Sequence, residues 1–127
     1  MTGHSVEKIG GTSMGATAAL FHNVLVAGRS GAGLYNRIFV VSVYGGMTDL
    51  LLENKKSGAP GVYGRFVADE DVGGWREAME DVRRAMQDRN AGMFARPESR
   101  DEADAFVDTR IATVAACLED LARLRAH

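Results

Sequence analysis

Cysteine and proline are scarce in this sequence, which has one cysteine and two prolines among 127 residues. A single cysteine, Cys117, excludes a disulfide within the chain and suits a reducing compartment. Cys117 falls on the apolar side of a predicted helix, so we interpret it as a small buried side chain. Few prolines leave long helices possible, because proline removes a backbone donor and interrupts helices.

An excess of basic charge and a long apolar run are also lacking. Lys and Arg number 15 against 17 Asp and Glu, a formal net charge of -2. Nucleic-acid binders usually carry a basic excess, so we expect no nucleic-acid partner. The longest apolar run, Ile38–Val41, is too short to span a bilayer, and residues 1–5 lack a signal-peptide pattern. We therefore expect a cytoplasmic protein without a membrane partner.

Glycine, in contrast, is abundant, with 15 residues. Two pairs, Gly10–Gly11 and Gly45–Gly46, each follow a predicted strand and precede a predicted helix. Ser5–Ile9 has the pattern of a short strand. Arg37–Val43 is the clearest predicted strand, because its apolar residues Ile38–Val41 are continuous and β-branched or aromatic, as expected of a strand covered on both faces. The length suits one domain, and the strand–loop–helix order predicts an α/β fold with a parallel sheet.

The remaining pattern is helical. Apolar residues at three- and four-residue spacing predict a helix from Met14 to Leu25, with Thr12 or Ser13 as N-cap and Gly28 as its end. A loop is expected at 29–34, a helix at 47–55, a turn at 57–61 and long helices from Gly74 onward, the first ending near Gly92. Pro97–Ser99 is expected to open the last helix, with Ser99 and Glu102 forming a capping box. The expected buried stripe of that helix is Val107, Ile111, Val114, Leu118 and Leu121.

The glycine loops are the candidate site. Loops that follow parallel strands lie at one edge of the sheet, where open α/β sheets bind ligands. Unpaired amides at helix starts attract phosphate, and glycine allows close approach because it has no Cβ. Lys8 shares a strand face with Val6, and a lysine at the end of a buried strand is costly unless it meets an anion. Lys8 therefore suits a phosphoryl group, while Ser42 and Thr48 offer hydroxyls to a small polar substrate.

A purely structural interpretation stands beside this one. Single glycine pairs are common in turns, and Lys8 could reach solvent from an edge strand. Neither the P-loop nor the dinucleotide-binding fingerprint matches these loops. Two loops at equivalent positions nevertheless favour a phosphate or small-anion site. His4, His22 and His127 have no metal-ligand spacing, so we expect no metal site.

Two segments resemble a known family. Val6–Met14 reads V-E-K-I-G-G-T-S-M and resembles the opening of aspartokinases, typically V-x-K-F-G-G-T-S, with Ile9 in place of the usual Phe. Val40–Leu51 is similar to their second motif, a strand followed by S-x-x-x-G-x-T. The stretch continuing to Gly64 resembles most the aspartokinases encoded with ectoine synthesis genes.

The resemblance implies a three-layer α/β/α amino-acid-kinase (carbamate-kinase-like) fold and a specific chemistry. Aspartokinases transfer the γ-phosphoryl of Mg-ATP to the β-carboxylate of L-aspartate, in lysine, threonine or ectoine biosynthesis. Lys8 matches the lysine that contacts the transferring phosphoryl group. The positions that match the phosphate region are Gly10, Gly11, Thr12 and Ser13. The positions that match the aspartate-binding loop are Ser42, Gly45, Gly46 and Thr48.

The same resemblance implies that residues 1–127 are the N-terminal portion of a catalytic domain. Family members continue with an acidic residue and an arginine that bind aspartate, an adenine-binding segment and ACT regulatory domains. The isolated chain is therefore expected to be nearly inactive. Trp75, Met79 and Met86 form either core or a partner surface, and on that ground we expect a homo-oligomer. Two alternatives stay open: a kinase of the same fold acting on another carboxylate or a carbamate, and a non-catalytic helical interaction module.

Overall fold

The chain divides into two compact units, with the boundary between Met47 and Thr48. A computed structural model describes residues 3–68 and 73–126 of the chain. The first unit contains a two-stranded parallel sheet, and the described part of the second is mainly helical. The mixed α/β class predicted from the sequence, with a largely helical C-terminal half, is therefore confirmed.

The sheet pairs β1 (Ser5–Ile9) with β2 (Arg37–Val41) in parallel, in a register that runs from Ser5 opposite Arg37 to Ile9 opposite Val41. The predicted bounds of β1 are confirmed, whereas β2 ends two residues before the predicted Val43. The parallel direction places the carboxyl ends of both strands, and hence both glycine pairs, at the same edge.

The two faces of this sheet differ in exposure. On one face Ile9 is buried, and the Arg37 side chain is only 5% exposed. On the other, Ile38 and Val40 are 51% and 54% exposed. The expectation that the second strand is covered on both faces is thus wrong for this chain. The apolar run reflects β-propensity here, and no described element buries the second face.

The segment after β1 is helical but irregular. It comprises a 3₁₀ turn (Ser13–Gly15), α1 (Thr17–Leu20) and a π-helix (Phe21–Val26), so the single helix predicted from Met14 to Leu25 is wrong in type. Ala16, with φ -118° and ψ 55°, interrupts the ladder, and the expected N-cap at Thr12 or Ser13 makes no side-chain capping bond. The π-helix ends at Ala27, whose N–H donates to the His22 carbonyl.

Left-handed backbone follows immediately. Ala27 has φ +46° and Gly28 has φ +71°, which agrees with the predicted stop at Gly28 because glycine adopts this conformation without a Cβ penalty. A short helix, α2 (Ala32–Tyr35), then occupies part of the stretch that we expected to be a loop.

Arg37 ties the strands to the end of the π-helix. Its guanidinium donates two hydrogen bonds of 2.6 Å to the Glu7 carboxylate. The same group donates to the Leu25 carbonyl at 2.6 Å and the Val24 carbonyl at 3.0 Å. These are four hydrogen bonds, which the five N–H donors of a guanidinium can supply and the three of a lysine ammonium cannot. The Arg37 hydrogen bonds lower the pKa of Glu7 to about 2, from an ordinary 4.5.

This ion pair predicts acid sensitivity of the first unit. Because the folded pKa of Glu7 is lowered, its stabilising contribution is present above pH 4.5 and is lost as the pH falls towards about 2. The melting temperature of the first unit, followed by the strand amide signals in NMR, should exceed that of Glu7→Gln at neutral pH. The difference should shrink as the pH drops through that window. Glu77→Gln, which alters an exposed carboxylate, is the control; a constant difference across the window would contradict the prediction.

Helix α3 (Met47–Leu51) starts at the last residue of the first unit, and α4 (Val62–Ala68) follows in the second. Helix α3 stops four residues before the predicted Lys55. Between the two helices the Asn54 side-chain oxygen accepts the backbone N–H groups of Lys56 and Ser57, an Asx turn. The turn lies at 55–57, earlier than the predicted 57–61, and Gly58, with φ +71°, follows it. Pro60 pairs with Glu53 in an isolated antiparallel bridge.

Two long helices, α5 (Gly74–Met93) and α6 (Pro97–Arg125), complete this unit. Arg76 pairs with Glu119 and Asn90 donates to Asp104, so the helices run antiparallel. The core cluster consists of Val62, Ala78, Met79 and Val82, with Leu50, Met86, Ile111 and Leu118 packed against it. Trp75 is also buried, edge-on to Phe66. Trp75 and Met79 are therefore core residues, and they no longer support a partner surface.

Helix α6 differs from its prediction in two respects. It begins at Pro97 with Arg96 as N-cap and no side-chain capping bond, so Ser99 lies inside the helix and the capping box is wrong. Proline at the first position starts the helix earlier than Ser99 could. Of the predicted stripe, Val107 is buried, but Val114 and Leu121 are 45% and 49% exposed, and Cys117 is exposed. The burial expected for these three residues is wrong because α5 covers only one side of α6.

Helix α5 also includes Gly92, which we expected to end it.

In the parts of the chain that the structure describes, none of the helices combines the length and apolar character needed to cross a bilayer.

Candidate functional site

The two glycine loops lie next to each other at the carboxyl edge of the sheet. Ile9 and Val41 are paired at the ends of the strands, and the Ser42 N–H donates to the Ile9 carbonyl at 3.0 Å. The first loop begins at Gly10 and the second at Ser42, so both loops start directly after the paired ends of the strands. The common edge predicted from the sequence is confirmed by this pairing.

Close backbone packing explains why glycine stands at position 45, and a left-handed backbone explains it at position 46. A Cβ on Gly45 would lie 3.1 Å from the Gly15 Cα and 3.4 Å from the Gly11 carbonyl oxygen. These distances are shorter than ordinary van der Waals contact, so a side chain at position 45 would push the loops apart. Gly46 has φ +85°, a conformation that other residues rarely adopt.

Gly15 is a positioning residue that the sequence reasoning missed, because it falls inside an expected helix. Its backbone makes the close contact with Gly45. A glycine inside a helical pattern costs stability relative to alanine, and this cost was the signal that could have drawn attention to it.

The first loop offers backbone donors. The Gly10 carbonyl accepts the Met14 N–H at 3.1 Å, and the Thr12 carbonyl accepts the Gly15 N–H at 3.1 Å. Across residues 3–68 and 73–126, no acceptor is found for the N–H groups of Gly11, Thr12 and Ser13. Three successive amides without an acceptor can donate to an anion, and Gly10 and Gly11 place no Cβ in its way.

Lys8 lies at the end of β1, two residues before Gly10. It shares a face with Val6 while Glu7 and Ile9 occupy the other, as predicted from strand alternation. Lys8 is exposed, however, so the argument from a buried lysine does not apply to this chain. What supports Lys8 as an anion ligand is its position beside the first loop and its charge.

The second loop contributes polar atoms at a similar position. The Ser42 Oγ lies 3.6 Å from the place that a Cβ on Gly11 would occupy, so this hydroxyl borders the first loop. The Met47 N–H donates to the Tyr44 carbonyl at 3.1 Å, which closes the turn through Gly45 and Gly46. Thr48 lies in α3, half-buried, and belongs to the second unit. The structure thus brings Gly11, Ser42 and Gly45 together. Thr48 belongs to the second unit.

The described residues contain no group of three or more His, Cys, Asp or Glu side chains that could hold a metal ion. His127 and the acidic run 69–71 lie outside them.

Two parallel strands, each followed by a glycine loop and helical turns, form the arrangement in which open α/β sheets bind ligands at the carboxyl ends of their strands. Aspartate kinase Ask_Ect of Stutzerimonas stutzeri (strain A1501) is 48% identical to this chain over 124 residues, which is 98% of the chain. The resemblance to aspartokinases predicted from the two motifs is confirmed. The chain spans 26% of the length of that curated relative. No family model and no solved structure matches the chain.

Proposed function

We propose that this chain is the first part of an amino-acid-kinase catalytic domain whose whole protein phosphorylates L-aspartate. In that reaction a β-carboxylate oxygen of aspartate attacks the γ-phosphorus of Mg-bound ATP. The bond from that phosphorus to the ADP oxygen breaks, so 4-phospho-L-aspartate and ADP are formed. The observation that carries the proposal is the 48% identity over nearly the whole chain to an aspartate kinase.

The first loop is proposed to hold the phosphate groups. The amides of Gly11, Thr12 and Ser13 are donors without an acceptor in the described chain, and Gly10 and Gly11 present no Cβ to a ligand. Phosphoryl transfer depends on positioning and on neutralising charge at the transferring group. Lys8, the cation next to this loop, is proposed to supply that charge.

The second loop is proposed to hold aspartate. The Ser42 hydroxyl borders the first loop, which would bring the acceptor carboxylate close to the phosphoryl group. Gly45 and Gly46 allow the loop to pass tightly against Gly15. Thr48 lies in the second unit, and its role with aspartate is proposed from its match to the S-x-x-x-G-x-T motif alone. In this arrangement Lys8 acts on the phosphate side and Ser42 on the acceptor side.

The chain alone is proposed to bind ligand weakly and to turn over little. It corresponds to 26% of the length of its relative. The name Ask_Ect accords with the ectoine-associated type suggested by residues 52–64. We therefore propose that the whole protein phosphorylates aspartate in ectoine biosynthesis.

A chimera tests the proposal. This chain replaces the matching segment of Aspartate kinase Ask_Ect, and aspartate-dependent ADP formation is measured. We expect activity within about tenfold of the unmodified relative, since a tenfold loss is only about 1.4 kcal/mol of barrier. The isolated chain serves as the second sample and should form almost no ADP.

The alternatives give different results. A folded chimera that forms ADP with another carboxylate or a carbamate, and not with aspartate, would replace the proposed substrate. A folded chimera without any kinase activity would favour the interaction module. Rapid aspartate-dependent turnover by the isolated chain would refute the view that it is an incomplete site.

A further inference from the structure

We propose that Arg37 is a positioning residue for the first glycine loop, and that its guanidinium determines how well this loop binds phosphate. Arg37 fastens the far end of the helical segment, residues 13–26, which continues directly from the amides proposed to hold ATP. The inference rests on the proposed function, because it assigns the first loop to the phosphate groups. Arg37 is not among the residues proposed to touch a ligand, so it acts through the segment.

The helical segment is only partly packed. Met14 is its one buried residue, because neither α1 nor the π-helix contains a buried residue. Phe21 and Val24 are 48% and 40% exposed. The half-buried residues are Thr17, Leu20, Leu25 and Val26. Helices in proteins are stabilised mainly by the packing of an apolar face, so polar contacts carry a larger share of the attachment here.

Arg37 supplies such polar contacts from β2. Its side chain is 5% exposed, and the side chain of its partner Glu7 is 33% exposed. The guanidinium that binds Glu7 of β1 also donates to the Val24 and Leu25 carbonyls at the end of the π-helix. Bidentate, charge-assisted hydrogen bonds are stronger than neutral ones and fix the geometry of both partners. Arg37 therefore joins β1, β2 and the end of the segment at one point.

Backbone hydrogen bonds link the segment to the phosphate loop. The Leu20 N–H donates to the Ala16 carbonyl at 2.9 Å, and the Ala16 N–H donates to the Ser13 carbonyl at 3.1 Å. Ser13 provides one of the three amides proposed to bind phosphate. A shift of the π-helix is therefore passed along this ladder to the first loop. The second loop closes its own turn between Tyr44 and Met47 and does not depend on the ladder.

Steady-state kinetics on the chimera with Aspartate kinase Ask_Ect test the role of Arg37. Arg37→Met should raise the KM for ATP about three- to tenfold, the loss expected when about one hydrogen bond to phosphate is weakened. The KM for aspartate should stay unchanged. Arg37→Lys should give an intermediate KM for ATP, since it keeps the charge but has fewer donors.

Arg65→Met is the matched control. Arg65 is exposed in α4 and donates to the Pro60 carbonyl at 3.5 Å, so this variant removes the same charge from the second unit. Both KM values should stay unchanged in it.

A merely structural role for Arg37 gives a different result. Partial unfolding lowers the concentration of active enzyme, so it lowers the apparent kcat and leaves the KM for ATP unchanged. A lower kcat with both KM values unchanged would therefore overturn the proposal. An equal rise in both KM values would also overturn it, because the effect would not be specific to the first loop. The Ser42 N–H, which donates to the Ile9 carbonyl, reports in NMR whether the strands stay paired.

Phosphate binding by the isolated chain tests the same role without kinase activity. Inorganic tripolyphosphate is added, and the amide signals of Gly11, Thr12 and Ser13 are followed by NMR. Arg37→Met should raise the dissociation constant by the same factor as the KM for ATP, and Arg65→Met should leave it unchanged. Amides that do not respond to tripolyphosphate, or equal dissociation constants for the two variants, would overturn the proposal. A chimera inactive with aspartate would instead refute the proposed function, while this titration still decides the role of Arg37.

Discussion

Gly61→Ala is expected to destabilise the second unit by about 3 kcal/mol, because a methyl group at this position has no room. A Cβ on Gly61 would lie 2.3 Å from the Leu50 carbonyl oxygen and 2.9 Å from the Asp49 carbonyl oxygen. The Gly61 N–H donates to the Leu52 carbonyl at 2.8 Å, so the backbone is held where the clash occurs. The strain must therefore be relieved by moving α4 away from the end of α3.

Urea unfolding followed by Trp75 fluorescence measures this effect. Trp75 is the one tryptophan of the sequence, is buried in the second unit and contacts Phe66 of α4 with ring centroids 6.0 Å apart. Gly92→Ala is the control, since a Cβ at that helical position meets nothing within 4 Å. It should leave stability unchanged or raise it by up to about 1 kcal/mol. Equal stabilities for Gly61→Ala and the unsubstituted chain would show that α3 and α4 adjust freely.

Lys8→Ala in the chimera is expected to lower kcat about 10²- to 10³-fold, the usual loss when one group that stabilises transition-state charge is removed. The KM for aspartate should change little, because Lys8 is proposed to act on the phosphate side. Stability should also change little, since Lys8 is exposed on the sheet face. Lys8→Arg should recover part of the activity by keeping the charge.

Lys55→Ala provides the matched control for this experiment. Lys55 is an exposed lysine at the turn between α3 and α4, so its replacement removes the same charge elsewhere and should leave kcat unchanged. Equal kcat values for Lys8→Ala and Lys55→Ala would remove Lys8 from the proposed site. A raised KM for ATP at constant kcat would assign Lys8 to binding rather than to the transferring group.

Local patterns predicted the strands and the long helices well. Strand β1 has the bounds expected from its sequence, and the long helices begin at Gly74 and Pro97 as expected. These segments have strong periodicity or β-propensity, which acts over a few neighbouring residues. The helix expected from Met14 to Leu25 failed because the non-helical backbone of Ala16, with φ -118° and ψ 55°, interrupts it, and periodicity does not register such an interruption.

The sequence predicted that two loops form the candidate site, but not how close their backbones lie to one another. The glycine pairs and Lys8 were identified from residue types that favour phosphate, and their roles remain predictions. The close approach of Gly45 to Gly15 was not predictable, because it joins residues 30 positions apart through the pairing of two strands. The burial of Arg37 by contacts with Glu7, Val24 and Leu25 arises in the same way.

By itself, the sequence determined the α/β class, the order of the elements and the resemblance to aspartokinases. These depend on local propensity and on motifs that are contiguous in the chain. Only the tertiary structure decided which apolar residues are covered: Trp75 and Met79 lie in the core, whereas Ile38, Val114 and Cys117 do not. A hydrophobic pattern shows that a face can be buried. Burial itself requires a neighbouring element, and α5 covers only one side of α6.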